Sequence, residues 1–147
     1  MSGIFGIIRR DGGTVSSEEL ERLGVAMAHR GPDGKDFWLE GYAGLGQLML
    51  RSTPESADEK LPWQDTESGL VITADARIDN REELLGKLSG LNSLLPDSQL
   101  ILEAFKLWGE ACVDHLLGDY AFAIWDLRNR RLFCVRDRMG GGSFCYV

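Results

Sequence analysis

The chain is 147 residues long, 44% hydrophobic and 27% charged, with 16 basic residues against 23 acidic ones for a net charge of −7, a composition that suits one globular domain with its own core. The acidic balance, with a pI near 4.8, excludes a phosphate-tracking nucleic-acid binder and a polybasic membrane anchor, and no apolar run reaches bilayer-spanning length. Residues 1–13 carry no basic stretch ahead of their apolar residues, so no secretory signal is expected and the chain reads as cytoplasmic.

Residues 3–8 are apolar and β-branched, end at Asp11-Gly12-Gly13 and predict a buried strand. Ser16 and Glu19 have capping-box spacing, and Leu20, Leu23 and Met27 follow at helical steps, which predicts a helix over residues 17–28. Gly31-Pro32-Asp33-Gly34 breaks it. Two strands, 35–40 and 43–50, turn at Gly41, a polar loop covers 52–61, and a third strand covers 70–74. Asn80 and Glu83 repeat the capping-box spacing ahead of a short helix carrying Leu84, Leu85 and Leu88. After Pro96 and Asp97, the residues Leu100, Ile101, Ala104, Phe105 and Trp108 form one helix face that Gly109 ends, and a shorter helical piece spans 110–117. Residues 120–125 are apolar on both faces, a strand covered on both sides. Arg128-Asn129-Arg130 turns it into a partner over 131–136, and a last strand is expected to start near Ser143. Helices grouped between blocks of strands predict two packed sheets with helices outside, an α+β sandwich.

Cys112, Cys134 and Cys145 are odd in number and lack CxxC spacing, and only His29 and His115 accompany them. Disulfide frameworks and zinc clusters are therefore not expected, a multi-histidine metal site is excluded, and the cysteines read as buried apolar thiols. The chemistry-bearing candidate is Ser2: removal of Met1 would leave a hydroxyl and a near-neutral α-amine on one residue, able to act as nucleophile and base.

Three segments, taken in order over all 147 residues, carry a resemblance. They are Ser2-Gly3-Ile4-Phe5-Gly6-Ile7, then Ala28-His29-Arg30-Gly31-Pro32-Asp33-Gly34, then the run from Leu116-Leu117-Gly118-Asp119-Tyr120 to Arg136-Asp137-Arg138-Met139-Gly140. Together they resemble class II glutamine amidotransferase domains, above all the N-terminal domain of glutamine-hydrolysing asparagine synthetases. The resemblance implies a four-layer αββα N-terminal-nucleophile hydrolase sandwich forming one domain over residues 1–147. It implies glutamine as substrate, hydrolysed to glutamate and ammonia without a cofactor in this domain. The ammonia then passes to an ATP- and magnesium-dependent synthetase domain or chain, whose residues are not in this sequence.

Carried over position by position, the resemblance puts Ser2 where the family has its cysteine nucleophile. Met49 stands where an arginine pairs the substrate carboxylate, with Arg51 two residues on. Asp75-Ala76-Arg77 stands in place of the Asn-Gly-Glu stretch that supplies the oxyanion donors, and Asp97 matches the carboxylate that holds the substrate ammonium. After Gly140 the family continues Gly-x-Lys-Pro-x-Tyr-Tyr; here Gly141-Gly142-Ser143-Phe144-Cys145-Tyr146 keeps only the aromatic register. The sandwich is thus expected to lack its closing strands, leaving Phe144 and Tyr146 on an under-paired edge that favours homo-oligomers or docking. Two functional expectations follow. One is a degenerate, structural domain of an enzyme making amide bonds, similar to the β-lactam synthetase and lasso-peptide cyclase branch. The other is a working glutaminase that uses Ser2 to supply ammonia for asparagine synthesis.

Overall fold

The computed structural model describes residues 2–51, 54–57, 59–140 and 144–146. Strand β1 (Gly3–Ile8) and strand β2 (Gly34–Glu40) flank strand β3 (Ala43–Met49), all antiparallel. Every residue of β3 is buried, because both of its faces are covered. Helix α1 (Ser17–Ala26) lies on one side, its start fixed by the expected capping box: Ser16 Oγ accepts from the Glu19 N–H at 3.2 Å, and Glu19 accepts from the Ser16 N–H at 2.9 Å. Gly44 permits the close approach, since a Cβ there would meet Leu20 at 2.8 Å.

Among the described residues the second sheet has four antiparallel strands in the order β4 (Trp63–Asp65), β5 (Leu70–Ile78), β6 (Gly118–Asp126) and β7 (Arg131–Arg136). Its inner face meets the first sheet through Leu45, Val71 and Trp125. Its outer face carries the main core, where helix α3 (Asp97–Trp108) packs Leu100, Ile101 and Ala104 with Ile72, Phe122 and Ile124. Helix α2 (Arg81–Lys87) joins that layer through Leu84. Helix, sheet, sheet, helix: the expected αββα sandwich is the fold observed. No helix among the described residues is long and apolar enough to cross a membrane.

Several local expectations are corrected. α1 stops at Ala26, and residues 28–30 form a separate 3₁₀ turn. β5 runs four residues past Ala74 to Ile78 because β6 pairs with it over its whole length, and β4 was not anticipated at all. The Asn80 capping box does not form; the Asn80 side chain instead donates to the His115 carbonyl at 2.9 Å and accepts from the Leu117 N–H at 3.0 Å. The expected helical piece over 110–117 is a 3₁₀ helix, Gly109–Asp114. Residues 144–146 are in no strand, and Ser143, where one was to begin, lies outside the described residues. The edge expected at Phe144 and Tyr146 is therefore absent from 144–146, and the outer strand of this sheet is β7. Of the three cysteines only Cys112 is buried; Cys134 faces outward on β7, and Cys145 is exposed.

Candidate functional site

Ser2 precedes β1 and is buried, with 8% of its surface exposed. The pairing of Gly3 with Leu48 brings it beside the end of β3. There its Oγ accepts from the Leu50 N–H at 3.0 Å and lies 3.4 Å from the Leu50 carbonyl oxygen as a donor. Its backbone N–H donates to Asp75 Oδ1 at 2.9 Å, across the sandwich on β5. Asp75 is half-buried, and that burial pushes its carboxyl above the usual aspartate range, offset in part by the Ser2 N–H, the N-terminal charge and the Arg30 guanidinium.

The other sequence candidates differ in burial and in partners. Met49, on β3, is 6% exposed and belongs to the apolar cluster that contains Leu61 and Leu70, so its position presents a thioether within the core. Ala76 follows Asp75 half-buried, while Arg77 is exposed, its guanidinium held by Asp79 at 3.1 Å and Asp119 at 2.8 Å. Arg51 is exposed as well and bonds Asp33, its N–H to Oδ2 at 2.8 Å and its guanidinium to the carbonyl at 3.0 Å.

Asp97 opens α3 and is 9% exposed. Its Oδ2 accepts from the Ile78 N–H at 3.0 Å, and its Oδ1 is ion-paired with Arg81, which also holds the Leu95 carbonyl at 2.7 Å. This carboxylate ties the end of β5 to the starts of α2 and α3. Beside it, Ser98 hydrogen-bonds Glu59, whose carboxyl burial raises, with Asp97's charge adding to the rise and Arg51 opposing it. Glu59 falls in the polar loop of residues 52–61 and Arg81 at the start of α2, and no spacing in the sequence marks either, since both act through partners far along the chain. Among the described residues, no group of His, Cys, Asp and Glu is placed to hold a metal ion.

The pair of buried Ser2 and half-buried Asp75 ties the start of β1 to β5. It provides no hydrogen-bond donor from residue 75's side chain while that carboxyl is ionised.

A family model described as a glutamine amidotransferase domain matches residues 1–147. A putative glutamine-hydrolysing asparagine synthetase of Methanocaldococcus jannaschii is 30% identical, the match covering 99% of this chain and 32% of that protein. A glutamine-hydrolysing asparagine synthetase of Bacillus subtilis is 30% identical over 88% of this chain and 22% of its own length. An amidase, chry2, of Gibberella zeae is 29% identical over 88% of the chain and 20% of its length. The chain thus spans between a fifth and a third of these relatives. Glutamine phosphoribosylpyrophosphate amidotransferase of B. subtilis, solved with ADP and GMP, superimposes with a TM-score of 0.62 at 15% identity, over 86% of this chain and 35% of that one, a likeness of fold. With its model matched from end to end and the sandwich in place, this chain belongs to the glutamine amidotransferase domain family.

Proposed function

We propose that this is an asparagine-synthetase-like glutamine amidotransferase domain that no longer hydrolyses glutamine and serves as a structural module of an ATP-dependent amide-forming enzyme, on the same chain or a separate one. The observation that carries the reading is the Asp75 carboxylate bonded 2.9 Å from the Ser2 nitrogen. Acyl transfer from glutamine develops negative charge on the carbonyl oxygen, and a site for it needs donors aimed at that charge. A carboxylate in that neighbourhood repels it.

The remaining substitutions support the same direction. A serine hydroxyl is a weaker nucleophile than a thiol, a few per cent of which is ionised at neutral pH. The hydroxyl of Ser2 also already bonds the Leu50 backbone. Met49 offers nothing to a substrate carboxylate, which an arginine would grip with two charge-assisted hydrogen bonds. Asp97 is committed to Arg81 and to the Ile78 N–H.

Losing a single oxyanion donor lowers turnover by about a hundredfold to a thousandfold, and the defects here act at successive stages of one reaction. An ammonia-release assay with glutamine is expected to find the wild type and Ser2→Cys both at background. Saturable turnover by the wild type that disappears in Ser2→Ala would overturn the proposal and establish Ser2 as a working nucleophile for ammonia supply.

A further inference from the structure

At the far end of β1 from Ser2, about 20 Å along the strand at 3.3 Å per residue, the two sheets part around an open groove of about 510 Å³. Its wall is aromatic and aliphatic: Tyr42 and Trp125 meet edge to face at 5.9 Å, and Leu132 lies beside them, partly exposed. Its rim is cationic, formed by Arg9, Arg10 and Arg130, in a chain whose net charge is −7.

Three observations mark this groove as more than a gap between turns. Arg9 is countered by Glu19 and, at 3.7 Å, by Asp11, yet its Nε is buried without a hydrogen-bond partner; such a donor is costly unless something accepts from it. Arg10 and Arg130 form no ion pair among the described residues, whereas Arg131 and Arg138 are taken up by Glu110 and Asp114. Finally, Arg130 has φ +54° and is the one described residue other than glycine with positive φ. A β-hairpin turn favours glycine or asparagine at such a position. The chain keeps arginine there, and that arginine places its guanidinium 5.8 Å from the centre of the Tyr42 ring.

We propose that this groove binds a small planar anion, an aromatic ring carrying a phosphate or a carboxylate, at a site separate from Ser2. The volume lies in the range of pockets that take small organic ligands, mostly apolar with a few convergent polar groups. The ring rests against the Tyr42 and Leu132 wall beside the Arg130 guanidinium, while the head group meets Arg10 and Arg130. Fork-shaped guanidinium donors suit either a phosphate or a carboxylate.

The test is calorimetric titration of the chain with phenyl phosphate and with benzoate, alongside phenol and inorganic phosphate, on the wild type and on Arg130→Gly. Glycine suits the backbone at residue 130, so this variant is expected to keep or raise the thermal midpoint while losing the cation. One ring-bearing anion is expected to bind saturably and at least about tenfold more tightly than phenol or inorganic phosphate, because it alone uses wall and rim together; the tighter of the two identifies the head group. Arg130→Gly is expected to weaken that binding by about tenfold or more. Failure of both ring-bearing anions to saturate, equal binding by inorganic phosphate, or undiminished binding in Arg130→Gly would each overturn the proposal. None of these outcomes depends on whether Ser2 hydrolyses glutamine.

Discussion

Asp65 illustrates how much one carboxylate can be asked to hold. On β4 it accepts from Lys106 of α3 at 2.5 Å, from the Ser68 hydroxyl at 2.7 Å and from the Glu67 N–H at 3.1 Å. The Lys106 bond is the largest cause of a carboxyl lowered from 3.8 to about 2, with Ser68 and Glu67 adding to it against a smaller penalty from burial. A carboxyl lowered on folding stabilises the native state fully above its unfolded value and loses that contribution as pH falls through the folded one. The window here therefore runs from about pH 4 down to about pH 2. Asp65→Asn should cost about 1 kcal/mol at neutral pH, a modest figure because the pair is partly solvated. Urea unfolding midpoints measured across that window should then decline less steeply in the variant than in the wild type.

At the scale of elements, the family motifs turn out to mark places where backbone meets backbone. Gly118 opens β6 with φ +146°, and a Cβ there would stand 2.0 Å from the Arg77 carbonyl oxygen. Gly118→Ala is expected to cost about 3 kcal/mol or more, since neither the dihedral nor the neighbouring strand can yield cheaply; a thermal melt of the purified variant checks it. Gly31 is similar, with the Leu48 backbone 2.3 Å from its would-be Cβ.

Elements whose signals are local were legible in the sequence. The Ser16–Glu19 box, the α3 stripe and the doubly apolar β6 each formed where their residues demand. Those that depend on distant partners were not. β4 is three residues long and exists because Ile72, Val71 and Leu70 offer it an edge. The polar residues Asp75 and Arg77 hid the second half of β5, which β6 holds in place. Asn80 had the spacing of a cap, but the His115 carbonyl and the Leu117 N–H compete successfully for its amide. Ser2 was legible from its own chemistry, a hydroxyl and an amine on one residue, but its partner was legible only through resemblance: nothing in the periodicity joins Ser2 to Asp75, 73 residues away.

For the molecule as a whole, the two sheets are joined by a polar stitch as well as by apolar packing. Gln47 on β3 is fully buried; its Nε2 donates to the Ala74 carbonyl at 2.9 Å and its Oε1 accepts from the Thr73 hydroxyl at 2.5 Å, both on β5. Gln47→Leu keeps the bulk but strips these groups of their partners in a water-free layer, so a loss of about 2 kcal/mol is expected in equilibrium urea unfolding. A loss well below 1 kcal/mol would mean that the sheets are held together by packing alone.

The distribution of the three thiols divides the sandwich chemically. Cys112 sits in the helical layer with no exposed surface, and burial pushes its thiol up to about 11, so it is both hidden and protonated at neutral pH. Cys134 and Cys145 face solvent. Exposure puts Cys134 and Cys145 ahead of Cys112 for oxidants and alkylating agents, although partial burial also raises the Cys134 thiol and slows it, while the helical layer stays chemically silent as long as it remains closed.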